Sequence, residues 1–287
     1  MVVIAVIRNE RTILPHFMAH HRNLGVRCFI FIDNRSNDGS TEYILEQSDT
    51  IVYSAESDYK SSHYGVSWQR TVLAHHCIGK WVIMVDADEF FIYPDFEKIN
   101  IADWISRLEE NSQTAALTPQ IDMYPNRPLS EVDFGRELPL TSARWFDAKP
   151  LQAWHLGSGC YSNSPTYLSS FRHRVIDNAP PNAFTAQKFA LIKYYPWIHF
   201  SEGLHYASNV LTGSHIAFLA HFKYHKEFHQ KVLIETQREQ HFGDASEYRE
   251  YSKWLSFFEE AGVLADDSDE LTSSRKLDHV EKSLNFS

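Results

Sequence analysis

Through residue 123 the chain alternates short apolar runs with stretches whose apolar residues recur at helical spacing. Val2 to Ile7 is apolar and rich in β-branched residues, and reads as a buried strand. From Arg11 to Leu24 the apolar Ile13, Leu14, Phe17, Met18 and Leu24 share a helical face, and Gly25 is placed as a C-terminal cap. Cys28 to Ile32 and Thr50 to Tyr53 read as strands. Between them, the polar turn from Asp33 to Ser40 precedes a helix that starts near Thr41. Tyr64 to Ile78 reads as a helix ended by Gly79, Trp81 to Val85 as a strand, Ile101 to Glu110 as an amphipathic helix and Ala115 to Ile121 as a strand. Strand and helix in alternation predict an α/β fold: a Rossmann-like, mostly parallel sheet flanked by helices.

After residue 123 the rhythm changes. Residues 124–200 are rich in Pro, Gly, Ser, Asn and aromatics, with only short strand-like pieces. They read as a loop-rich, substrate-facing region of the same domain. Val232 to Ala261 reads as helical, and Ala265 to Ser287 as a last helix and polar tail. The expected division is a ligand-binding part over 1–123, a site-completing part over 124–231, and C-terminal helices over 232–287.

The net charge of −10 argues against a nucleic-acid binder, which would carry a basic patch. The 14% aromatic content suits a wide cleft lined by rings, or a thick core. Cys28, Cys77 and Cys160 are far apart and form no Cys-x-x-Cys, so neither a disulfide framework nor a cysteine zinc site is expected. A reducing, cytoplasmic setting fits. No apolar run has the length of a membrane span, which leaves peripheral association with the inner face of a membrane open.

The run Lys80 to Phe91 carries the most chemistry. Its apolar strand stops at Asp86, Asp88 and Glu89. In open α/β sheets ligands bind beyond the carboxyl ends of the strands. Two hard oxygen donors there suit Mg²⁺ or Mn²⁺ shared with phosphate oxygens. The bare pattern is weak: among 17 Asp in 287 residues, roughly one Asp-x-Asp arises by chance. Asp267-Ser268-Asp269 is a second copy, with no strand before it. Asp33 belongs to the same sheet edge and either meets a ribose or base or simply shapes its turn, as Asp38 does.

Neither Gly-x-x-x-x-Gly-Lys-Ser/Thr nor Gly-x-Gly-x-x-Gly occurs, so a diphosphate would depend on a metal and cations. Candidates follow the apolar run Ala217 to Ala220, in His221 and Lys223, with Gly203-Leu204-His205 upstream. A hydrolytic zinc site is disfavoured: His20-His21 and His75-His76 are adjacent pairs, and neither His-Glu-x-x-His nor Gly-x-Ser-x-Gly is present.

Taken in order, these pieces resemble bacterial family 2 glycosyltransferases of the GT-A fold and Asp-x-Asp type. The likeness rests on Ile7-Arg8-Asn9-Glu10, His20-His21 to Gly25-Val26, Ile32 to Ser40 and Trp81 to Phe91. It continues through Asp122-Met123-Tyr124-Pro125, Trp145-Phe146-Asp147, Gly203-Leu204-His205, His221-Phe222-Lys223 and Glu247 to Tyr251. The resemblance implies a metal-dependent, inverting transfer of a sugar from a nucleotide-sugar, a UDP-sugar first, to a hydroxyl of a glycan or lipid-linked acceptor. It also implies residue roles. Arg8, Glu10, Asp33, Asp86 and Lys223 would bind the donor, and Asp88, His221 and Asp86 would hold Mn²⁺ or Mg²⁺. The catalytic base would be Asp122, Asp147 or Glu202, with Asp122 favoured because it follows a strand. The rivals are a nucleotidyltransferase and a non-catalytic carbohydrate-binding protein. The first normally has a glycine-rich basic loop after its first strand, where this chain has Arg8-Asn9-Glu10-Arg11. The second needs no convergence of Asp86, Asp88, His221 and Lys223.

Overall fold

The first four strands form side by side. They are β1 (Val2–Ile7), β2 (Cys28–Asp33), β3 (Thr50–Ser54) and β4 (Trp81–Met84), and all their pairings are parallel. Parallel neighbours need long crossovers, and α1 (Leu14–Leu24), α2 (Ser40–Leu45) and α3 (Val66–His76) supply them. Gly25 ends α1 in the left-handed region at φ 104°, as its position in the sequence predicts. The computed structural model describes residues 1–149, 151–153, 159–161, 166–253, 255, 262–278 and 280.

Beyond β4 the chain turns back on itself. β5 (Glu89–Ile92) is a short strand that sequence reading did not anticipate; α4 (Ile101–Glu110) and β6 (Ala115–Asp122) follow as expected. The loop-rich region then holds α5 (Pro139–Ser142), β7 (Trp145–Asp147), β8 (Leu151–Ala153), β9 (Thr166–Leu168) and α6 (Ser170–Val175). After these come β10 (Gln187–Lys193), β11 (His199–Phe200), β12 (Ala207–Ser208) and β13 (Phe218–His221). The main sheet has eight strands in the order β3-β2-β1-β4-β10-β6-β13-β5. β10 runs antiparallel to β4 and β6, and β5 antiparallel to β13, while β6 and β13 are parallel. Six strands therefore point one way and two the other, a mostly parallel sheet.

β10 corrects the expectation that residues 124–200 hold only loops and short strands. Six of its seven residues are buried, and it fills the middle of the sheet. The C-terminal region divides into α7 (Phe228–Arg238) and α8 (Phe242–Ser252). Residues 256–261 lie outside the described residues. Ahead of the expected last helix, β14 (Ser268–Glu270) pairs with β7 and a 3-10 turn spans Ser274–Leu277; Asp278 and Val280 are helical, and the rest of that helix and tail lies outside the described residues.

The principal core covers both faces of the sheet, with Phe17, Phe29, Phe31, Phe90, Phe91 and Trp104 among its largest side chains. A second, smaller core joins Tyr124, Phe171, Tyr224, Phe228, Val232 and Tyr251. It attaches α7 and α8 beside the carboxyl ends of the strands. Among the described residues no helix is long and apolar enough to cross a membrane.

Candidate active site

A cleft of about 1020 Å³ opens at the carboxyl ends of β1 and β4. Strand β4 delivers Asp86 to Glu89 into it. Glu89 starts the antiparallel edge strand and is buried, and its Oε2 accepts from the Asp86 backbone N–H at 2.9 Å, which folds the turn tightly. Lys188 of β10 reaches the same turn. Its Nζ lies 2.6 Å from Asp86 Oδ2 and 2.7 Å from Glu89 Oε1. Burial would lower the Lys188 pKa, but the two carboxylates raise it above the usual lysine range. Glu89 is nonetheless pushed up, chiefly by burial. Lysine and glutamate compete here within one buried cluster, and the short contacts favour the charged pair.

Asp88 faces a different set of partners. His221 Nε2 is 3.6 Å from Asp88 Oδ2, and Lys231 Nζ is 3.5 Å from it. Burial pushes the Asp88 carboxyl up, but Lys231 and His221 pull harder and hold it well below the usual range. The His221 ring is fixed from behind: its Nδ1 is 2.7 Å from Asp122 Oδ1. Sheet register explains this, because His221 lies opposite Asp122 on β6 and opposite Glu89 on β5. Burial lowers the His221 pKa, but Asp88 and Asp122 together raise it.

Asp122 does not line the cleft. It is buried, accepts from Arg172 Nη2 at 2.9 Å and from the Ser169 hydroxyl, and holds His221. Its pKa is depressed despite burial, because Arg172 and His221 stabilise the charge. A carboxylate so committed is a weak proton acceptor, so Asp122 falls out as the favoured base. Asp147 is also absent from the cleft lining. It ties Tyr124 to Arg174, whose Nη2 is 2.9 Å away, beneath the β7–β14 ladder. Glu202 does line the cleft, where it pairs with His63 at 3.2 Å.

On the β1–β2 side, Arg8 and Glu10 line the cleft and Asp33 does not. Asp33 is buried and accepts from the Ser36 N–H, so it shapes the turn; its neighbour Asn34 faces the cleft instead. Arg8 donates to the Asn34 carbonyl at 2.8 Å, and Arg238 of α7 donates to the Asn34 side chain at 3.1 Å. Glu10 accepts from Lys231 at 2.9 Å. Burial pushes Glu10 up to about 7 against the pull of Lys231, with Asp88 adding to the rise. Lys223 also lines the cleft. It donates to Glu247 Oε1 at 3.0 Å and lies over the Tyr248 and Tyr251 rings at 4.5 and 4.8 Å. His205 also faces the cleft, its Nδ1 2.9 Å from the Gln187 carbonyl. Gly203, at φ 64°, passes so close that a Cβ there would meet His205 Nε2 at 2.7 Å.

Sequence reading missed Lys188, Arg172, Lys231, Arg238 and Gln120. Each belongs to a segment read as loop, helix or strand with no ligand signal, and none sits in a motif. Among the described residues, no group of three or more His, Cys, Asp and Glu side chains converges as a metal site. Of the expected trio, Asp88 and His221 are in contact and Asp86 is held by Lys188. The Asp88–His221 pair still fits an ion shared with a diphosphate, which needs only one or two protein ligands. The Asp122–His221 contact is the outer support that metal-ligating histidines use.

No family model matches the chain. Among solved structures, UDP-glucose pyrophosphorylase from Acinetobacter baumanii is 10% identical and covers 89% of this chain and 100% of its own, with a TM-score of 0.33. 4-Diphosphocytidyl-2C-methyl-D-erythritol synthase is 10% identical and covers 99% of this chain and 97% of its own, with a TM-score of 0.32. A glycosyltransferase family 92 protein of Oryza sativa subsp. japonica is 29% identical over 102 residues. That match takes in 33% of this chain and 16% of the rice protein, so what is similar to a glycosyltransferase is a third of this chain and a small part of that one.

Proposed function

We propose that the cleft binds a nucleotide-sugar, a UDP-sugar first, and transfers its sugar to a hydroxyl of a glycan or lipid-linked acceptor. The observation that carries this reading is the convergence of Asp88 and His221 at the strand ends, ringed by Lys188, Lys223, Lys231, Arg8, Arg172 and Arg238, in a chain of net charge −10. A passive sugar-binding cleft has no use for so many cations, whereas a departing diphosphate does. The similarity of part of the chain to a glycosyltransferase points the same way.

In this reading Arg8, Asn34 and Arg238 hold the nucleoside end, and Lys223 and Arg172 offset charge on the diphosphate. Asp88 and His221 Nε2 would hold Mn²⁺ or Mg²⁺. Such an ion supplies Lewis-acid stabilisation of the leaving phosphate. His221 must shed its Nε2 proton before it can ligate, and Asp122 keeps the ring aimed while it does. Lys188 keeps the Asp86–Glu89 turn in shape. The acceptor hydroxyl attacks opposite the departing diphosphate, which inverts the anomeric carbon.

A thermal-shift screen of nucleoside diphosphates with and without Mn²⁺, on wild type and Asp88→Ala, tests this. A ligand at a hundred times its dissociation constant should add about 2.7 kcal/mol of stability. One nucleotide should stabilise the wild type in a Mn²⁺-dependent way, and Asp88→Ala should lose that dependence. No shift with any nucleotide would remove the nucleotide-sugar reading.

A further inference from the structure

The transfer reaction needs a base, and the three carboxylates that sequence reading offered are either outside the cleft or paired. The remaining cleft carboxylates are nearly all occupied. Glu10 is held by Lys231, Asp86 and Glu89 by Lys188, and Asp88 by His221 and Lys231. Glu235 is held by Arg238 and His241, Glu247 by Lys223 and Arg172, Glu250 by Lys253, and Glu202 by His63. The lysines and arginines among these partners stabilise the charged carboxylate, and His63 meets Glu202 at 3.2 Å. Among the described residues, Asp177 is the one cleft-lining carboxylate with no Lys, Arg or His side chain in ion-pair contact. It is exposed to the cleft's solvent.

The position is built. Asp177 follows α6, the helix whose Arg172 reaches Asp122 and lies 3.2 Å from His221 Nδ1. The chain after it turns at Asn178, at φ 57°, into a segment anchored by the His173 ring against the Pro180 carbonyl and by the Ser169 N–H to Phe184. Residues Ile176 to Ala179 and Phe184 line the cleft. Arg8, Asn34 and Tyr59, from other parts of the chain, line the same cleft.

We propose that Asp177 is the general base of the transfer reaction, an assignment that rests on the transferase reading above. As the acceptor oxygen forms its bond to the anomeric carbon, the Asp177 carboxylate takes the hydroxyl proton. The bond from that carbon to phosphate oxygen breaks, and its electron pair leaves with the nucleoside diphosphate. General-base catalysis of this kind contributes about 10²–10⁴-fold.

The test uses the full chain, UDP-, GDP- and dTDP-hexoses, Mn²⁺, and water as acceptor. Nucleoside diphosphate release and donor binding by calorimetry are measured on wild type, Asp177→Asn and Asp177→Glu. The proposal expects Asp177→Asn to bind donor within twofold of wild type and release diphosphate at least 100-fold more slowly. Asp177→Glu should recover part of the rate. Release by Asp177→Asn within threefold of wild type overturns the assignment while leaving the transferase reading intact. Donor binding by the wild type with no release also counts against Asp177, because a free carboxylate there would activate water. A wild type that neither binds nor cleaves any donor removes the transferase reading, and the base assignment with it.

Discussion

Asp86 and Asp88 are two positions apart and on opposite sides of one turn: Asp86 meets Lys188 from β10, and Asp88 meets His221 from β13 and Lys231 from α7. Their substitutions should therefore differ. Asp86→Asn leaves Lys188 paired with buried Glu89, and nucleotide affinity should fall by less than tenfold. Asp88→Asn should abolish Mn²⁺ binding, read directly by electron paramagnetic resonance without any donor; equal effects at the two sites would contradict the division. Glu247 offers a pH test. Burial pushes its pKa up from 4.5, but Lys223 and Arg172 pull it down to about 2. A lowered pKa gives stability that is present above pH 4.5 and lost as pH falls toward 2. Glu247→Gln should cost about 2 kcal/mol near neutrality. In urea titrations from pH 7 to 3 the gap to wild type should narrow below pH 4.5. A gap that stays flat would mean Glu247 carries no charge in the folded protein.

At the scale of elements, the cleft depends on how strands end and how helices begin. Gly65 caps α3 at φ 82°, and a Cβ there would meet Val6 Cγ2 at 2.9 Å and Tyr59 Cε2 at 3.2 Å. Gly65→Ala combines left-handed strain with overpacking and should cost about 2 kcal/mol. It also pushes on β1 and Tyr59, so donor affinity should fall with stability; an unchanged melting temperature would show that the turn relaxes freely. Asp147 behaves oppositely. It joins β7 to α6 through Arg174 and Tyr124, away from the cleft. Asp147→Asn should lower the melting temperature while leaving the diphosphate-release rate per folded molecule within threefold of wild type. A rate loss above tenfold with unchanged stability would return Asp147 to the catalytic candidates.

For the whole molecule, strand order decides what can be separated. β10 lies between β4 and β6, and β13 lies between β6 and β5. A fragment of residues 1–123 contains β4, β5 and β6 but neither strand that joins them. It should therefore lack a cooperative unfolding transition by circular dichroism, since unpaired strand edges in the middle of a sheet leave backbone groups unsatisfied. A fragment that unfolds cooperatively would mean that the parallel β3-β2-β1-β4 half is stable alone. The second core works in the same direction, because Tyr124 after β6 packs on Phe171 of α6, which packs on Tyr224 just before α7.

The sequence by itself determined the parallel half of the fold and its most informative edge. Apolar runs and helical spacing are local signals, and they placed β1 to β4, α4 and β6, and with them Asp86 and Asp88 at the end of β4. A carboxylate after a buried strand is legible because both facts lie within a dozen residues. What only the tertiary structure decided is which charge meets which. Lys188 is 102 residues from Asp86, Arg172 is 50 from Asp122, and His221 is 99 from Asp122. These meetings follow from strand order and register, which depend on the summed burial of whole strands and leave no mark at the residues concerned. The demotion of Asp122 and Asp147, and the emergence of Asp177, come from the same source, whereas Asp33 is held by the Ser36 N–H within its own turn. Whether a carboxylate is free to take a proton depends on the cations that folding brings beside it.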